Sequence, residues 1–463
     1  MLGKSDMNDE ATWTHRTVVV VVCLVSIAAG KDAAQSGPTT LATDEWTAAN
    51  AATTAQGGVL SGMAKPDVVW KSDVLTPRER KLAGGCLIRN IVANGESAFI
   101  VSGGPLPQPI RGISAQDCIV ALRLSDGQRM WLFEAGDLRG SAAAVDGNTL
   151  FVTSDGTARA IDCRRGKWIW EQSKITASRR NSSDILYDTE KVYVSMWGGR
   201  VAAMSRKDGT VQWRSTGFLS QEDENENVRP WLTRYGEKLI LADAGTPAMR
   251  SLSCADGREA WTAELPSIRK IKTERIDTDV GPRTAEARGT RLKSVPTVRP
   301  CLMGPLVVLA GWYGLGADAP PYVTAIHAAN GQTAWTTPLG KGTESSCSGL
   351  ATDGKRVYAV LASGKLRCLE GQSGKTAWET DLLWKEHPAK GGYSSFAFVG
   401  SLAIWGDVLL VAGEPGFLNG LELATGRNLW NIELPAPLDW NGVTVARRRL
   451  LVVSGGAVMV FEN

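Results

Sequence analysis

Cysteine is the most reactive residue type in this 463-residue chain, so the spacing of its eight cysteines limits the available chemistry. No two are adjacent and no Cys-x-x-Cys pair occurs, which argues against thiolate metal sites, thioredoxin-like exchange and c-type haem attachment. One cysteine, Cys23, falls in an apolar run, which leaves seven: Cys86, Cys118, Cys163, Cys254, Cys301, Cys347 and Cys368. Seven is odd, so at least one thiol is free in a monomer. We expect Cys163 and Cys254 to pack as small core side chains.

The three histidines and one acidic run offer no recognisable catalytic arrangement. His327 falls in a predicted strand and His387 in a predicted loop, while His15 precedes the apolar run. A metal site or a nucleophile-activating base needs partners at fixed spacing, and none can be assigned. The acidic run 222–226 lacks the spaced ligands and turn glycine of a calcium loop, which favours a solvated loop. The sequence thus identifies no catalytic residue and no metal ligand.

The overall charge is nearly balanced. Lysine and arginine total 51 against 48 aspartates and glutamates, a net charge of +3. A nucleic-acid-binding domain needs a concentrated excess of positive charge, which this composition does not provide. We therefore predict no nucleic-acid partner.

A glycine followed four residues later by a tryptophan recurs seven times and predicts the elements that organise the chain. A fixed-offset pair repeated at intervals of a few tens of residues indicates a repeat architecture. The seven pairs are Gly127 with Trp131, Gly166 with Trp170, Gly209 with Trp213, Gly257 with Trp261, Gly331 with Trp335, Gly374 with Trp378, and Gly426 with Trp430.

Each pair lies in a predicted β-hairpin, because an alternating apolar segment precedes the glycine and a second strand carries the tryptophan. Glycine suits the turn because it adopts positive φ without a Cβ clash. A second hairpin precedes each pair, as at residues 142–153, so every repeat has four strands. Tandem four-stranded repeats of this length are typical of a β-propeller. The segments 450–453 and 457–461 begin an eighth repeat, and Trp70 in the segment 68–71 is predicted to complete it and close the ring.

These repeats resemble those of the PQQ-like β-propellers of the quinoprotein alcohol dehydrogenase-like superfamily, over residues 66–463. Segments 121–131, 325–335 and 421–430 carry the resemblance. It implies that each repeat tryptophan, together with Trp70, packs between neighbouring blades. The expected fold is therefore all-β: one eight-bladed propeller of four-stranded antiparallel blades, closed by pairing the N- and C-terminal strands.

The same resemblance raises the question of a cofactor. Its dehydrogenases hold pyrroloquinoline quinone against a vicinal disulfide, with a calcium or lanthanide ion in the channel. No adjacent cysteine pair occurs in this chain, and their metal ligands have no matching positions. We therefore expect no cofactor, and the quinone with calcium remains an alternative without support from such a pair.

The N-terminus predicts export. Residues 17–29 form an apolar run of about thirteen residues, shorter than a bilayer span needs, followed by small residues that suit signal-peptidase cleavage. We assign 1–30 to a signal peptide, with an uncleaved anchor as the alternative, and 31–65 to a low-complexity tether. The expected location is the periplasm or cell envelope, with membrane attachment only through an uncleaved N-terminus.

Loop lengths predict one functional face. In a propeller blade the loop between the second and third strands lies on the same face as the connection to the next blade. The long segments 104–116, 217–227, 265–293 and 311–321 all belong to these two classes, and such insertions usually build a binding surface. The candidate interaction residues are Arg269, Lys270, Lys272, Trp312 and Tyr313. Segment 265–293 carries an excess of basic residues, although a disordered or internally paired loop is an alternative interpretation.

Three functions stay open. The first is a monomeric, non-catalytic scaffold that binds a protein or peptide, similar to the BamB family of outer-membrane assembly factors. Cys23 lies outside a lipobox, which puts lipid attachment of that kind in doubt. The second is a quinone-dependent dehydrogenase, with a sensor propeller of a signalling system as a further alternative.

Overall fold

All elements of the described residues are β-strands. The computed structural model describes residues 64–74, 88–102, 117–136, 142–154, 156–175, 184–196, 199–217, 230–243, 247–270, 273–278, 281–286, 290–293, 295–312, 320–340, 347–361, 363–382, 399–413, 416–436, 438–446 and 448–462. The predicted signal peptide and nearly all of the predicted tether lie outside these ranges. Within them no helix is long and apolar enough to cross a membrane.

The first described strand, β1, comprises Asp67–Asp73 and belongs to the last blade. Blade 1 contains β2 (Ile88–Ala93), β3 (Ser97–Ser102), β4 (Asp117–Arg123) and β5 (Arg129–Gly136). Blade 2 contains β6 (Ala142–Asp146), β7 (Thr149–Ser154), β8 (Thr157–Asp162) and β9 (Trp168–Gln172). Blade 3 contains β10 (Asp184–Tyr187), β11 (Lys191–Met196), β12 (Arg200–Ser205) and β13 (Val211–Arg214). Blade 4 contains β14 (Pro230–Tyr235), β15 (Lys238–Asp243), β16 (Ala248–Ser253) and β17 (Glu259–Glu264).

Between blades 4 and 5 the chain forms four further strands in two antiparallel pairs. The first pair is β18 (Ser267–Lys270) with β21 (Thr290–Lys293), and the second is β19 (Thr273–Thr278) with β20 (Gly281–Glu286). Neither pair joins the sheet of a blade. We call these four strands the arm.

The remaining strands complete the ring. Blade 5 contains β22 (Val295–Pro296), β23 (Cys301–Met303), β24 (Leu306–Trp312), β25 (Tyr322–His327) and β26 (Thr333–Pro338). Blade 6 contains β27 (Cys347–Thr352), β28 (Arg356–Leu361), β29 (Lys365–Glu370) and β30 (Thr376–Asp381). Blade 7 contains β31 (Val399–Trp405), β32 (Val408–Gly413), β33 (Phe417–Glu422) and β34 (Asn428–Glu433). Blade 8 contains β35 (Leu438–Ala446), β36 (Arg449–Ser454), β37 (Ala457–Glu462) and β1.

The predicted eight-bladed, all-β ring is therefore confirmed, including its closure. Strand β1 pairs antiparallel with β37, from Asp67 opposite Glu462 to Asp73 opposite Ala457. The chain thus contributes its first described strand and its last three to one sheet. Closure in this way covers the edge that β37 would otherwise present.

The apolar core lies between the blades. Second and third strands are buried on both faces because a neighbouring blade covers each side: Phe99 and Ile119 of blade 1 pack with Val152 and Ile161 of blade 2. These strands are therefore almost continuously apolar. Fourth strands, on the outer rim, instead alternate exposed and partly buried residues, as β17 does.

Candidate interaction face

The repeat tryptophans connect successive blades by one recurring hydrogen bond. The indole Nε1 of Trp70 donates to Leu124 O of blade 1 at 2.8 Å, and Trp335 Nε1 donates to Gly371 O of blade 6 at 2.8 Å. The other five donors and acceptors are Trp131 to Cys163, Trp170 to Arg206, Trp213 to Cys254, Trp261 to Ala328, and Trp378 to Leu423. In each case the acceptor is the residue directly after the third strand of the next blade.

Each of these seven tryptophan rings also covers a repeat glycine of the next blade. A Cβ on Gly374 would lie 2.5 Å from Trp335 Cε3, and one on Gly127 would lie 2.5 Å from Trp70 Cε3. Both glycines have positive φ, +67° and +71°. The same contact pairs Gly166 with Trp131, Gly209 with Trp170, Gly257 with Trp213, Gly331 with Trp261, and Gly426 with Trp378.

A β-bulge precedes every repeat tryptophan, a feature that the sequence analysis missed. In blade 2 the partner of Ala160 is Trp170 and the partner of Ile161 is Trp168, so Ile169 is unpaired. The same shift leaves Val69 unpaired in β1. A bulge interrupts the alternation of side chains and re-aims them.

The eighth tryptophan, Trp430, departs from the pattern. Its side chain is buried, with 7% exposure, but its Nε1 has no hydrogen-bond partner among the described residues. The ring instead lies against Gly420 of its own blade, where a Cβ would approach to 2.2 Å. The reason is topological: blade 8 has no turn between its third and fourth strands, because β37 and β1 come from opposite ends of the chain.

The described cysteines are unsuited to nucleophilic chemistry. All six are buried and none forms a disulfide, and Cys163 and Cys254 are each 1% exposed. Burial raises the pKa of the Cys347 and Cys368 thiols to about 12. A thiol with so high a pKa is not ionised at neutral pH.

The described residues also lack the group of ligands that a metal ion needs. Within the described ranges no group of three or more His, Cys, Asp or Glu side chains gathers as ligands. His327 is exposed at the end of β25. The acidic run 222–226, Cys86 and His387 lie outside the described residues. No adjacent cysteine pair is present in the sequence to pack against a quinone.

The two faces of the ring differ in their connections. One face carries the turns between first and second strands and between third and fourth strands, all short, such as 188–190 and 371–375. On the other face, which we call the long-loop face, lie the ends of the strands that flank residues 103–116, 215–229 and 313–321. The arm starts and ends on this face as well. The predicted separation of long and short connections onto opposite faces agrees with this strand order.

The arm is fixed to the ring at both of its roots. On the incoming side Leu265 is buried, and its amide donates to Pro247 O at 2.8 Å. On the outgoing side Val295 pairs opposite Trp312, and the Thr297 amide donates to Ala310 O at 3.0 Å. The predicted anchor Trp312 thus lies beside the arm root, half-buried at the end of β24.

A buried ion pair strengthens the outgoing root. Arg299 Nη2 donates to Asp184 Oδ2 of blade 3, and the two side chains are 6% and 1% exposed. The same carboxylate oxygen accepts from the Leu232 amide of blade 4 at 2.8 Å, and Oδ1 accepts from the Ile185 amide at 2.8 Å. Three donors around a buried carboxylate offset its loss of hydration. One aspartate therefore links blades 3, 4 and 5.

The remaining predicted interaction residues belong to the arm or to the adjacent loop. Arg269 and Lys270 are in β18, where Arg269 is opposite Arg291 and Lys270 is opposite Thr290. Lys272 and Tyr313 lie outside the described residues. The described strands of segment 265–293 thus pair with one another through their backbones. This agrees with the alternative interpretation of the segment as an internally paired loop.

Comparison with known proteins places this ring in a family. The sequence profile described as "Outer membrane protein assembly factor BamB" matches residues 115–294 and 319–391, more than half of the chain. The chain belongs to the BamB family. The last two strands of blade 1, blades 2 to 4, the arm, the last two strands of blade 5 and all of blade 6 lie within the matched ranges.

Two BamB proteins of known sequence are similar to this family member. The protein from Yersinia pestis is 22% identical over 357 residues, covering 69% of this chain and 84% of its own. The protein from Kangiella koreensis is 27% identical over 146 residues, which is 29% of this chain and only 35% of the Kangiella protein.

Solved structures share the fold at low identity. BamB from Moraxella catarrhalis superposes with a TM-score of 0.58 and 14% identity, covering 86% of this chain and all of that one. A europium-containing methanol dehydrogenase superposes with a TM-score of 0.55 and 11% identity, covering 86% and 93%. These superpositions establish a common propeller fold, and the fold alone does not separate a binding protein from a dehydrogenase.

Proposed function

We propose that this BamB-family propeller is a non-catalytic scaffold of the cell envelope that binds a protein or peptide at its long-loop face. The observation that carries the proposal is the arm, a basic β-ribbon fixed at both roots and not paired with any blade. Its relatives bear the name of outer-membrane protein assembly factors. We extend that role to this chain, whose partner would then be a protein that takes part in outer-membrane protein assembly.

The charges of the arm favour an acidic partner. Arg269 and Arg291 are opposite residues in β18 and β21, and Ser267 is opposite Lys293. Like charges placed directly opposite each other destabilise a strand pair, and an acidic segment bound across them would relieve that cost. Both outer edges of β18 and β21 are without a strand partner in the described part of the chain. Such edges accept an extended peptide by strand addition.

Charge reversal on the arm tests this function. Full-length protein carrying Arg269→Glu, Lys270→Glu and Lys272→Glu should capture less envelope protein than wild type, because these charges attract the partner. Its melting temperature should stay unchanged, because the arm does not join the sheet of any blade and the substitutions leave the core of the ring intact. The measurement is a quantitative pull-down with identification of the captured proteins by mass spectrometry.

The control reverses three exposed cations on the opposite face, Lys207→Glu, Arg258→Glu and Lys375→Glu. This variant should capture the same proteins as wild type. Loss of capture in the control alone would contradict the assignment of the binding face. Dye reduction by purified protein after addition of pyrroloquinoline quinone and calcium would contradict the non-catalytic role.

A further inference from the structure

Large apolar side chains are exposed on only one part of the outer rim, within the described residues. Four are strongly exposed: Val68 at 52%, Val69 at 45%, Trp168 at 51% and Ile169 at 50%. They occupy the same two positions of the repeat, directly before a repeat tryptophan, in β1 of blade 8 and β9 of blade 2. The β-bulge at this position interrupts alternation, so two consecutive side chains remain accessible.

The strand between them continues the apolar surface. Strand β5 of blade 1 carries Met130, Leu132 and Phe133, all half-buried. The Phe133 ring lies 5.7 Å from the Trp168 ring, and the Arg159 guanidinium lies 5.5 Å from the Trp168 ring centroid. We call the seven apolar side chains of these three strands the apolar arc: Val68, Val69, Met130, Leu132, Phe133, Trp168 and Ile169.

The repeat itself does not require the apolar arc. Directly before the repeat tryptophan, blades 4, 5 and 6 have Ala260, Ala334 and Ala377, all exposed. One residue earlier, blades 5 and 6 have Thr333 and Thr376. Small or polar residues therefore satisfy the bulge, so the strongly exposed apolar residues of blades 8 and 2 serve something outside the ring.

Positive charge borders the apolar arc. The turn before β9 carries Arg164, Arg165 and Lys167, all exposed. Arg164 Nη2 lies 3.8 Å from Glu96 Oε2, with both side chains 72% exposed, so this pair neutralises little charge. Exposed tryptophan and aliphatic side chains next to arginine and lysine have the composition of a protein surface at the membrane interface.

The path of the chain leads to the same place. The apolar run 17–29 precedes the propeller, and the chain enters the ring at β1, which lies within the apolar arc. A membrane that received this run would be at the end of a tether joined to this part of the rim. We propose that the apolar arc of blades 8, 1 and 2 rests on an anionic lipid surface, with the 164–167 turn facing the lipid phosphates. The long-loop face is then free for a protein partner, so the proposal does not depend on the proposed function.

A local probe of lipid contact tests this proposal in the full-length chain. An environment-sensitive fluorophore is attached at Ile169→Cys, and the matched control carries it at Ala377→Cys, the same repeat position four blades around the ring. Wild-type protein treated in the same way gives the labelling background. On vesicles of phosphatidylglycerol and phosphatidylcholine in equal parts, emission at 169 should shift to the blue and be quenched by brominated acyl chains. Emission at 377 should remain that of a water-exposed label.

The charged border is tested in the same assay. Adding Arg164→Glu and Arg165→Glu to the labelled Ile169→Cys protein should raise the lipid concentration needed for the shift at least about tenfold, because each cation near an anionic surface contributes to binding. Vesicles of phosphatidylcholine alone should give a much smaller shift at 169.

Three results would overturn the proposal. The first is water-like emission at 169 on both kinds of vesicle, and the second is an equal shift at 169 and 377. The third is a change at 169 that requires added envelope protein and does not occur with vesicles, which would assign the apolar arc to a protein partner.

Discussion

Seven joints between blades and the eighth joint, between blades 7 and 8, solve the same packing problem in different ways. At each of the seven, a tryptophan ring covers the glycine of the next blade and its Nε1 donates to the carbonyl after the third strand. Between blades 7 and 8 the receiving turn does not exist, and Trp430 is buried without an acceptor among the described residues. Trp405 crosses this joint instead, and its Nε1 donates at 3.2 Å to Arg448 O, between β35 and β36 of blade 8.

The difference shows what a covalent turn contributes to a repeat joint. The turn delivers a glycine and a carbonyl together, so a single tryptophan satisfies both packing and hydrogen bonding. Blade 8 has no such turn, so at its joint with blade 7 one tryptophan, Trp430, supplies the packing and another, Trp405, supplies the hydrogen bond. Arg449 donates to Leu124 O at 2.5 Å, the same oxygen that receives Trp70, and so joins blade 8 to blade 1.

The largest expected effect follows from removing the closing sheet. Deletion of residues 455–463 removes β37, in which Val458, Val460 and Phe461 are essentially fully buried. Each such side chain contributes about 1.5–3 kcal/mol when buried. We expect a large fall in the melting temperature measured by circular dichroism. Removal of residues 1–30, which precede β1 in the sequence, should leave the melting temperature unchanged. If deletion of 455–463 gave a protein that melts like the full chain, closure by β1 and β37 would be contradicted.

A glycine pair separates tryptophan docking from backbone strain. Gly374 and Gly304 have φ of +67° and +55°, but a Cβ on Gly304 would meet nothing within 4 Å. Alanine costs about 1–2 kcal/mol at either position because of the left-handed backbone. At Gly374 it also displaces the Trp335 ring, which adds about 1–3 kcal/mol. Denaturant unfolding of Gly374→Ala and Gly304→Ala should show this difference, and equal losses would mean that the ring contact is dispensable.

Two substitutions by phenylalanine compare a bonded indole with an unbonded one. Trp335 and Trp430 are similarly buried, at 9% and 7% exposure, so each loses a similar volume on change to phenylalanine. Trp335→Phe also leaves Gly371 O without its donor, whereas Trp430→Phe removes an N–H that has no acceptor among the described residues. The free energy of unfolding should therefore fall by about 1–2 kcal/mol more for Trp335→Phe. A larger loss for Trp430→Phe would show that the joint between blades 7 and 8 depends on the indole N–H of Trp430.

The smallest effect concerns the pH dependence of the receiving turns. Hydrogen bonds from Thr210, first from its hydroxyl and then from its amide, lower the pKa of Asp208 to about 2. A lowered carboxyl pKa stabilises the folded state above the ordinary value of 3.8, and this contribution is lost as the pH falls towards 2. Asp208→Ala should therefore lower the melting temperature slightly at pH 7 and not at all near pH 2. Asn330 accepts the Gln332 amide in the equivalent turn without titrating, so the difference between Asn330→Ala and wild type should not change with pH.

The sequence predicts the repeated contacts well because each is local and occurs many times. Seven glycine–tryptophan pairs establish the blade register, and Trp70 with segment 457–461 identifies the closing sheet. The same repetition hides the exceptions: Trp430 has the spacing of the other tryptophans although its receiving turn is missing. Only knowledge of which strands share blade 8 reveals the difference.

Contacts that occur once could not be predicted. Asp184 and Arg299 lie more than a hundred residues apart in sequence, and nothing in either neighbourhood marks them as partners. Arg449 and Leu124 are 325 residues apart. The arm was recognised as a long basic insertion, but the pairing of β18 with β21 depends on backbone register that its irregular side-chain pattern does not specify. The β-bulges were missed because the residue before each tryptophan varies between valine, methionine, isoleucine, glutamine, alanine and leucine.

The pairing of β1 with β37 also determines the order of events during biosynthesis. A ribosome releases β1 before the other strands of the ring, and its partner β37 emerges only after every strand of blades 1 to 7. Contacts of such long sequence separation form late and slow the completion of folding. Throughout that interval the partly built ring has an open sheet edge at each end, the condition in which nascent chains aggregate or recruit chaperones. Strand β1, which closes the finished ring, is therefore also the strand that stays unpaired longest during synthesis and exposes the growing chain to aggregation.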